Sequence, residues 1–99
     1  MQIKIQAPFE VNDYLRGIIK EKIEKLTTFH DRIHGADVFL KLKEASSHHD
    51  KCVEVNLSIP GKDAFASETA ESFEKAVAAV AGKLEKQLKK KKEIQSKKY

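Results

Sequence analysis

Between Phe73 and Leu88 the apolar residues recur on one side of a helix, and that one-sidedness constrains the fold more than any other feature of the chain. On a wheel of about 100° per residue with Leu84 placed at about 100°, Phe73, Val77, Val80, Leu84 and Leu88 fall within roughly 60° to 140°. Such a helix is not stable by itself in water, so its stripe must be buried against another layer. Lys75, Lys83, Lys86, Lys89 and Lys90 fall within roughly 240° to 360°, on the opposite side. From Lys83 onward eight lysines stand against two acids, a net +6, whereas the residues before it carry eleven basic and thirteen acidic side chains, a net −2. Positive charge is therefore gathered on one helix and its tail, an arrangement suited to docking a polyanion.

The layer that receives the stripe can be read from the remaining patterns. Ile3 and Ile5 alternate with Gln2, Lys4 and Gln6, which predicts a short strand ending before Pro8. Asn12 is placed as a helix N-cap with Asp13 in the first turn, and Leu15, Ile18, Ile19, Ile23 and Leu26 follow at helical spacing, predicting a helix over roughly 13–27. After a polar connection, Val38, Leu40 and Leu42 alternate with Asp37, Lys41 and Lys43, with Phe39 interrupting the polar side. Residues 46–50 are polar and aperiodic and read as a turn or loop. Val53, Val55, Leu57 and Ile59 then alternate with Cys52, Glu54, Asn56 and Ser58, a strand with one buried face. Pro60-Gly61-Lys62-Asp63 is a turn, since proline presets one dihedral and glycine permits a positive one. A short strand over about 64–68 completes a hairpin, and Thr69 or Ser72 caps the second helix. One-sided helices and alternating strands in this order imply an α+β fold, β-α-β-β-β-α, with two helices on one face of a four-stranded sheet. The other face is left to water, carrying Lys41, Lys43, Glu54 and Asn56.

Ninety-nine residues suffice for one such core and not for two. The boundary is set at 92, with 1–92 as the domain and 93–99 as a basic flexible tail, because Lys91 falls inside the apolar stripe and the helix must project or fray from there. A single Cys52 forms no internal disulfide, and the default is a reducing compartment. No apolar run approaches the ~20 residues that cross a bilayer, and the N-terminus alternates, so a cytoplasmic protein with no membrane partner is expected.

The lysine face is weighed against an ordinary solvated helix surface. Few acids alternate with its lysines, so it is expected to lack i, i+4 pairing, and Ala79 and Gly82 lie among the lysines where small residues admit a phosphate backbone. Lys22 and Lys25 border the first helix's stripe, where their stems can cover core methylenes. Should the helices lie side by side, the pair widens the positive surface. His48, His49, Asp50 and Cys52 are the one cluster resembling a metal site, but neighbouring residues point apart and no second ligand group accompanies them, so neither metal nor cofactor is expected. No phosphate loop, HExxH or activated nucleophile is present, so no enzyme is expected. With Phe65 and Phe73 assigned to the core, aromatic stacking is poorly supplied, which favours a shape-and-charge binder of structured RNA, with no DNA partner.

Over nearly its whole length the chain resembles the ribosome hibernation promoting factor family in its short form, also described as ribosome-associated translation inhibitors and sigma-54 modulation protein-like. The resemblance is carried by the element order, by Lys22-Ile23-Glu24-Lys25-Leu26 and Phe29-His30-Asp31-Arg32-Ile33, and by the closing Lys83-Leu84-Glu85-Lys86-Gln87-Leu88-Lys89-Lys90. It implies a fold like the double-stranded-RNA-binding domain and a seat in the decoding channel of the small ribosomal subunit. There such factors occupy the space of messenger and transfer RNA and hold the ribosome inactive under stress or in stationary phase. The family's basic helix residues match Lys22, Lys25, Lys83, Lys86 and Lys90, and the face read above adds Lys75 and Lys89 to the expected RNA contacts. Where the family commonly starts its second helix with Asp-Met-Tyr, this chain has Ser72-Phe73-Glu74. Neither the long linker and second domain of long forms nor an acidic extension is present in the sequence. A monomer is expected that does not pair ribosomes by itself, with a separate ribosome-dimerising factor as a further partner. A general structured-RNA binder and a protein-interaction regulator using the open sheet face are the alternatives.

Overall fold

The computed structural model describes residues 1–43 and 50–96, with side chains through Lys90. Its elements are β1 (Gln2–Gln6), α1 (Asp13–Glu24), a 3₁₀ turn (Lys25–Thr28), β2 (Gly35–Leu42), β3 (Lys51–Ser58), β4 (Ala64–Ala70) and α2 (Phe73–Ser96). The sheet order is β1-β2-β3-β4. β1 runs parallel to β2, with Gln2 opposite Gly35, because α1 carries the chain back across the sheet between them. The two later pairings are antiparallel, joined by shorter connections.

Register fixes which residues form the core. Val38 lies opposite Val55, and Val55 opposite Ala66, so one face of the sheet presents Ala36, Val38 and Leu40, then Val53, Val55 and Leu57, then Ala64 and Ala66. These join Ile19, Ile23 and Leu26 from the first helical segment and Val77, Val80, Leu84 and Leu88 from α2 in one cluster. Each fully buried Leu, Ile or Val in it contributes about 1.5–3 kcal/mol of transfer free energy. Alanines at the inward positions of β4 leave room for α2, which lies over β3 and β4. At its start Phe73 packs against Phe9 with ring centroids 5.3 Å apart.

Local chemistry sets the element ends. Asn12 caps α1 as expected, its side-chain oxygen accepting the Leu15 N–H at 2.8 Å. The helix stops at Glu24, short of the predicted 27, since the Thr27 and Thr28 hydroxyls donate to the Glu24 and Lys25 carbonyls at 2.7 and 2.8 Å and the last turn tightens to 3₁₀. β4 runs to Ala70, beyond the expected 68, because Lys51 and Cys52 give Ala70 and Thr69 partners. The α2 cap therefore falls to Ser72, whose hydroxyl accepts the Lys75 N–H at 3.2 Å. Glu74 stands in the first turn, where an acid favours the positive end of the helix dipole. Gly61 has φ +87°, the dihedral that the Pro60-Gly61 turn requires of a residue without Cβ.

One core assignment is corrected. Phe65 lies outside the core and is 51% exposed, because Ala64 and Ala66 occupy the inward positions and period-two alternation sends Phe65 to the open face. There it joins half-buried Phe39 and the Lys41–Glu54 ion pair at 3.0 Å. Cys52 is wholly buried, its Sγ 3.8 Å from the Ser67 hydroxyl.

Candidate functional site

The two helices do lie side by side. Between the end of α1 with its 3₁₀ turn and the middle of α2 opens a cleft of about 490 Å³. Leu26 and Phe29 line one wall, and Ala78, Ala81 and Gly82 line the other. Lys22 and Lys25 stand at the cleft from the α1 side, and Glu85 from the α2 side. The 3₁₀ turn positions this arrangement: buried Leu26 anchors it in the core while half-buried Phe29, just beyond it, turns toward α2.

The lysines of the predicted face divide into three groups. Lys83 turns to the edge of the sheet, where it pairs with Glu68 and donates to the Ser67 carbonyl at 3.4 Å. Lys89 turns toward the cleft, 3.0 Å from Glu85, with its ammonium over the Phe29 ring at 5.0 Å from the centroid. Lys75, Lys86 and Lys90 are exposed along the outer side of α2, and Lys75 pairs with Glu71 at 2.9 Å. On the α1 side, Lys25 of the 3₁₀ turn pairs with Glu21 at 3.7 Å, and Lys22 of α1 is half-buried. Among the described residues, Lys22, Lys86 and Lys90 make no ion pair with a carboxylate.

The expectation that this face lacks i, i+4 pairing is therefore overturned. Lys75–Glu71 and Lys89–Glu85 are both such pairs, and Lys83 finds its acid on β4 instead. Acids four residues before a lysine suffice on a helix even when lysines dominate the count. These pairs are exposed, so each is worth less than about 1 kcal/mol and can exchange its carboxylate for another anion.

Phe29, Leu26 and Glu85 were not expected at the site. A helical wheel describes one element, and the cleft exists only where two meet. The available signal was Ala78, Ala81 and Gly82 at i, i+3, i+4, a small-residue patch at one side of the apolar stripe that admits a neighbouring segment. Ala79 and Gly82 are both exposed, but Gly82 alone of the two borders the cleft.

Of the histidine–cysteine cluster, His48 and His49 lie outside the described residues. Asp50 bonds the Lys51 ammonium at 2.8 Å, and Cys52 is buried in the sheet. His30 is buried too, its Nδ1 accepting the Arg32 N–H at 3.1 Å. Among the described residues no group of three or more His, Cys, Asp or Glu side chains could hold a metal ion, and no helix is long and apolar enough to cross a membrane.

The fold and this face define a small α+β protein that presents a cationic two-helix surface on one side of a four-stranded sheet. The chain belongs to the family described as Sigma 54 modulation protein / S30EA ribosomal protein, which it matches over residues 3–96. It is 34% identical over 96 residues to a Pseudomonas putida protein named ribosome hibernation promoting factor, covering 96% of this chain and 90% of that one. Two solved structures share the fold. A ribosomal subunit interface protein from Coxiella burnetii matches with a TM-score of 0.81 at 24% identity, covering 93% of this chain and 98% of its own. The N-terminal domain of Protein Y from Thermus thermophilus gives 0.73 at 21% identity, covering 90% and 93%.

Proposed function

We propose that this chain is a ribosome hibernation factor that binds the small ribosomal subunit in its messenger and transfer RNA channel and thereby inhibits translation. The observation that carries the reading is the two-helix cationic face, supported by membership of a family with relatives named for ribosome hibernation. Lys22, Lys86 and Lys90 meet phosphates directly. Lys25, Lys75, Lys83 and Lys89 add contacts when they exchange a carboxylate for a phosphate, and so contribute less each. Such a surface follows RNA by charge and geometry and reads little sequence. Inhibition needs no catalytic group, since a folded domain seated in the channel excludes the RNAs that use it. Pairing ribosomes would need a second self-complementary surface, which this reading leaves to a separate factor.

Two measurements test the proposal. Sedimentation with purified subunits should place the protein with the small subunit, and a cell-free translation reaction should stop as the protein saturates its ribosomes. Continued translation at saturation removes the inhibitory reading, and a dimer peak from pure ribosomes with this protein alone removes the division of labour. A second reading, docking of a protein on the open sheet face, is favoured by exposed Phe65. It predicts binding that responds mildly to salt, whereas RNA docking falls steeply.

A further inference from the structure

We infer that the cleft between the 3₁₀ turn and α2 is a pocket for one unstacked nucleobase, with the lysines at its edges taking the phosphates on either side. This rests on the RNA-binding reading above and narrows it to a single nucleotide at a defined place.

A surface that only tracks phosphates has no use for an apolar recess, yet one stands in the middle of the cationic face. Its volume of about 490 Å³ is within the ordinary range for small-ligand sites. Its walls are Leu26, Phe29, Ala78 and Ala81. The α2 wall is built of small residues, Ala78, Ala81 and Gly82, and a Cβ built on Gly82 meets nothing within 4 Å.

Charge selects the occupant. Lys22 and Lys25 line the cleft on the α1 side, and Lys89 lies over the Phe29 ring from the α2 side. Glu85, the acid at the edge, is held by Lys89 at 3.0 Å, so its charge is locally compensated. The matching ligand is flat and uncharged, has π-faces, and is flanked by anions. A nucleotide extruded from structured RNA has that chemistry, and aromatic side chains are the usual support for such bases. Phe29, not expected from the sequence as a stacking residue, lines the cleft with Lys89 over its ring, so a base that stacks on that face displaces the ammonium toward its flanking phosphate.

The test uses the full chain, labelled with ¹⁵N and titrated with adenosine 5′-monophosphate and, separately, with ribose 5-phosphate, which carries the phosphate without the base. The nucleotide should shift the amides of Phe29, Ala78 and Gly82 saturably, and ribose 5-phosphate should not. Gly82→Leu adds a side chain at the wall of the cleft, where the Cβ meets nothing within 4 Å, and should remove the nucleotide response while leaving the circular dichroism unchanged. Equal responses to the two compounds, or an undiminished response in the variant, overturn the proposal. In sedimentation with small subunits, Gly82→Leu should bind about tenfold more weakly with an unaltered salt slope, since stacking is lost and no phosphate contact is. Unchanged subunit affinity overturns the pocket and leaves the ribosome reading intact. Failure of the unaltered chain to bind subunits sinks the ribosome reading instead, and the nucleotide titration still decides the pocket.

Discussion

Lys86 and Lys90 should dominate the electrostatic part of binding, because both are exposed on the outer side of α2 and neither makes an ion pair among the described residues. Each phosphate contact contributes about 0.7 to 0.9 to the slope of log affinity against log salt. Changing both residues to Gln should therefore make the slope shallower by about 1.4 to 1.8. Extrapolated to about 1 M salt, where this term vanishes, the variant and the parent should converge. At about 0.1 M the variant should bind roughly 25- to 60-fold more weakly. The fold should not respond, since Gln and Lys have similar helix propensity and both positions are exposed, which holds the change within about 0.5 kcal/mol. Small-subunit binding would be measured by fluorescence anisotropy at four or five salt concentrations, with urea unfolding as the control. Removing the Lys83–Glu68 pair as a unit, with both residues changed to Gln, gives the comparison. A self-neutralising pair should cost less binding than the two uncompensated lysines. A folded Lys86/Lys90 variant with the parent's affinity and slope would show that phosphates do not meet the outer side of α2.

Three stability changes follow from the same geometry. Lys83→Gln alone should lower the unfolding free energy by less than about 1 kcal/mol in urea titrations, since its pair with Glu68 is 53% and 29% exposed at the two side chains. Gly17→Ala should raise the thermal midpoint, because a Cβ there meets nothing within 4 Å and alanine gains about 1 kcal/mol in a helix. By contrast, Leu84→Ala empties a fully buried position and should cost about 2–5 kcal/mol, read as a lower urea midpoint with the slope retained.

Most of the fold was legible in the chain because its strands alternate and its helices are one-sided. Two periods, about 3.6 and 2, suffice to place Ile19, Ile23, Val77, Leu84, Val53 and Val55 in one core. Phe65 was misplaced because it was judged by its hydrophobicity. Its parity in β4 decides its face, and Ala64 and Ala66 beside it already held the inward positions. The α2 cap could be narrowed to Thr69 or Ser72 but not chosen, since the length of β4 depends on how far β3 extends to pair with it.

What the sequence determined by itself was the two-layer architecture and the concentration of lysine on α2, because periodicity and charge are properties of one element at a time. Tertiary structure decided how those lysines are used. Lys83 finds Glu68 only because α2 lies along β4, and Lys89 finds Phe29 only because the 3₁₀ turn leads the chain toward α2. The cleft between Leu26 and Gly82 belongs to neither helix. Residues 56 positions apart in the chain form its walls, and a contact at that separation is set by packing, which no local pattern encodes.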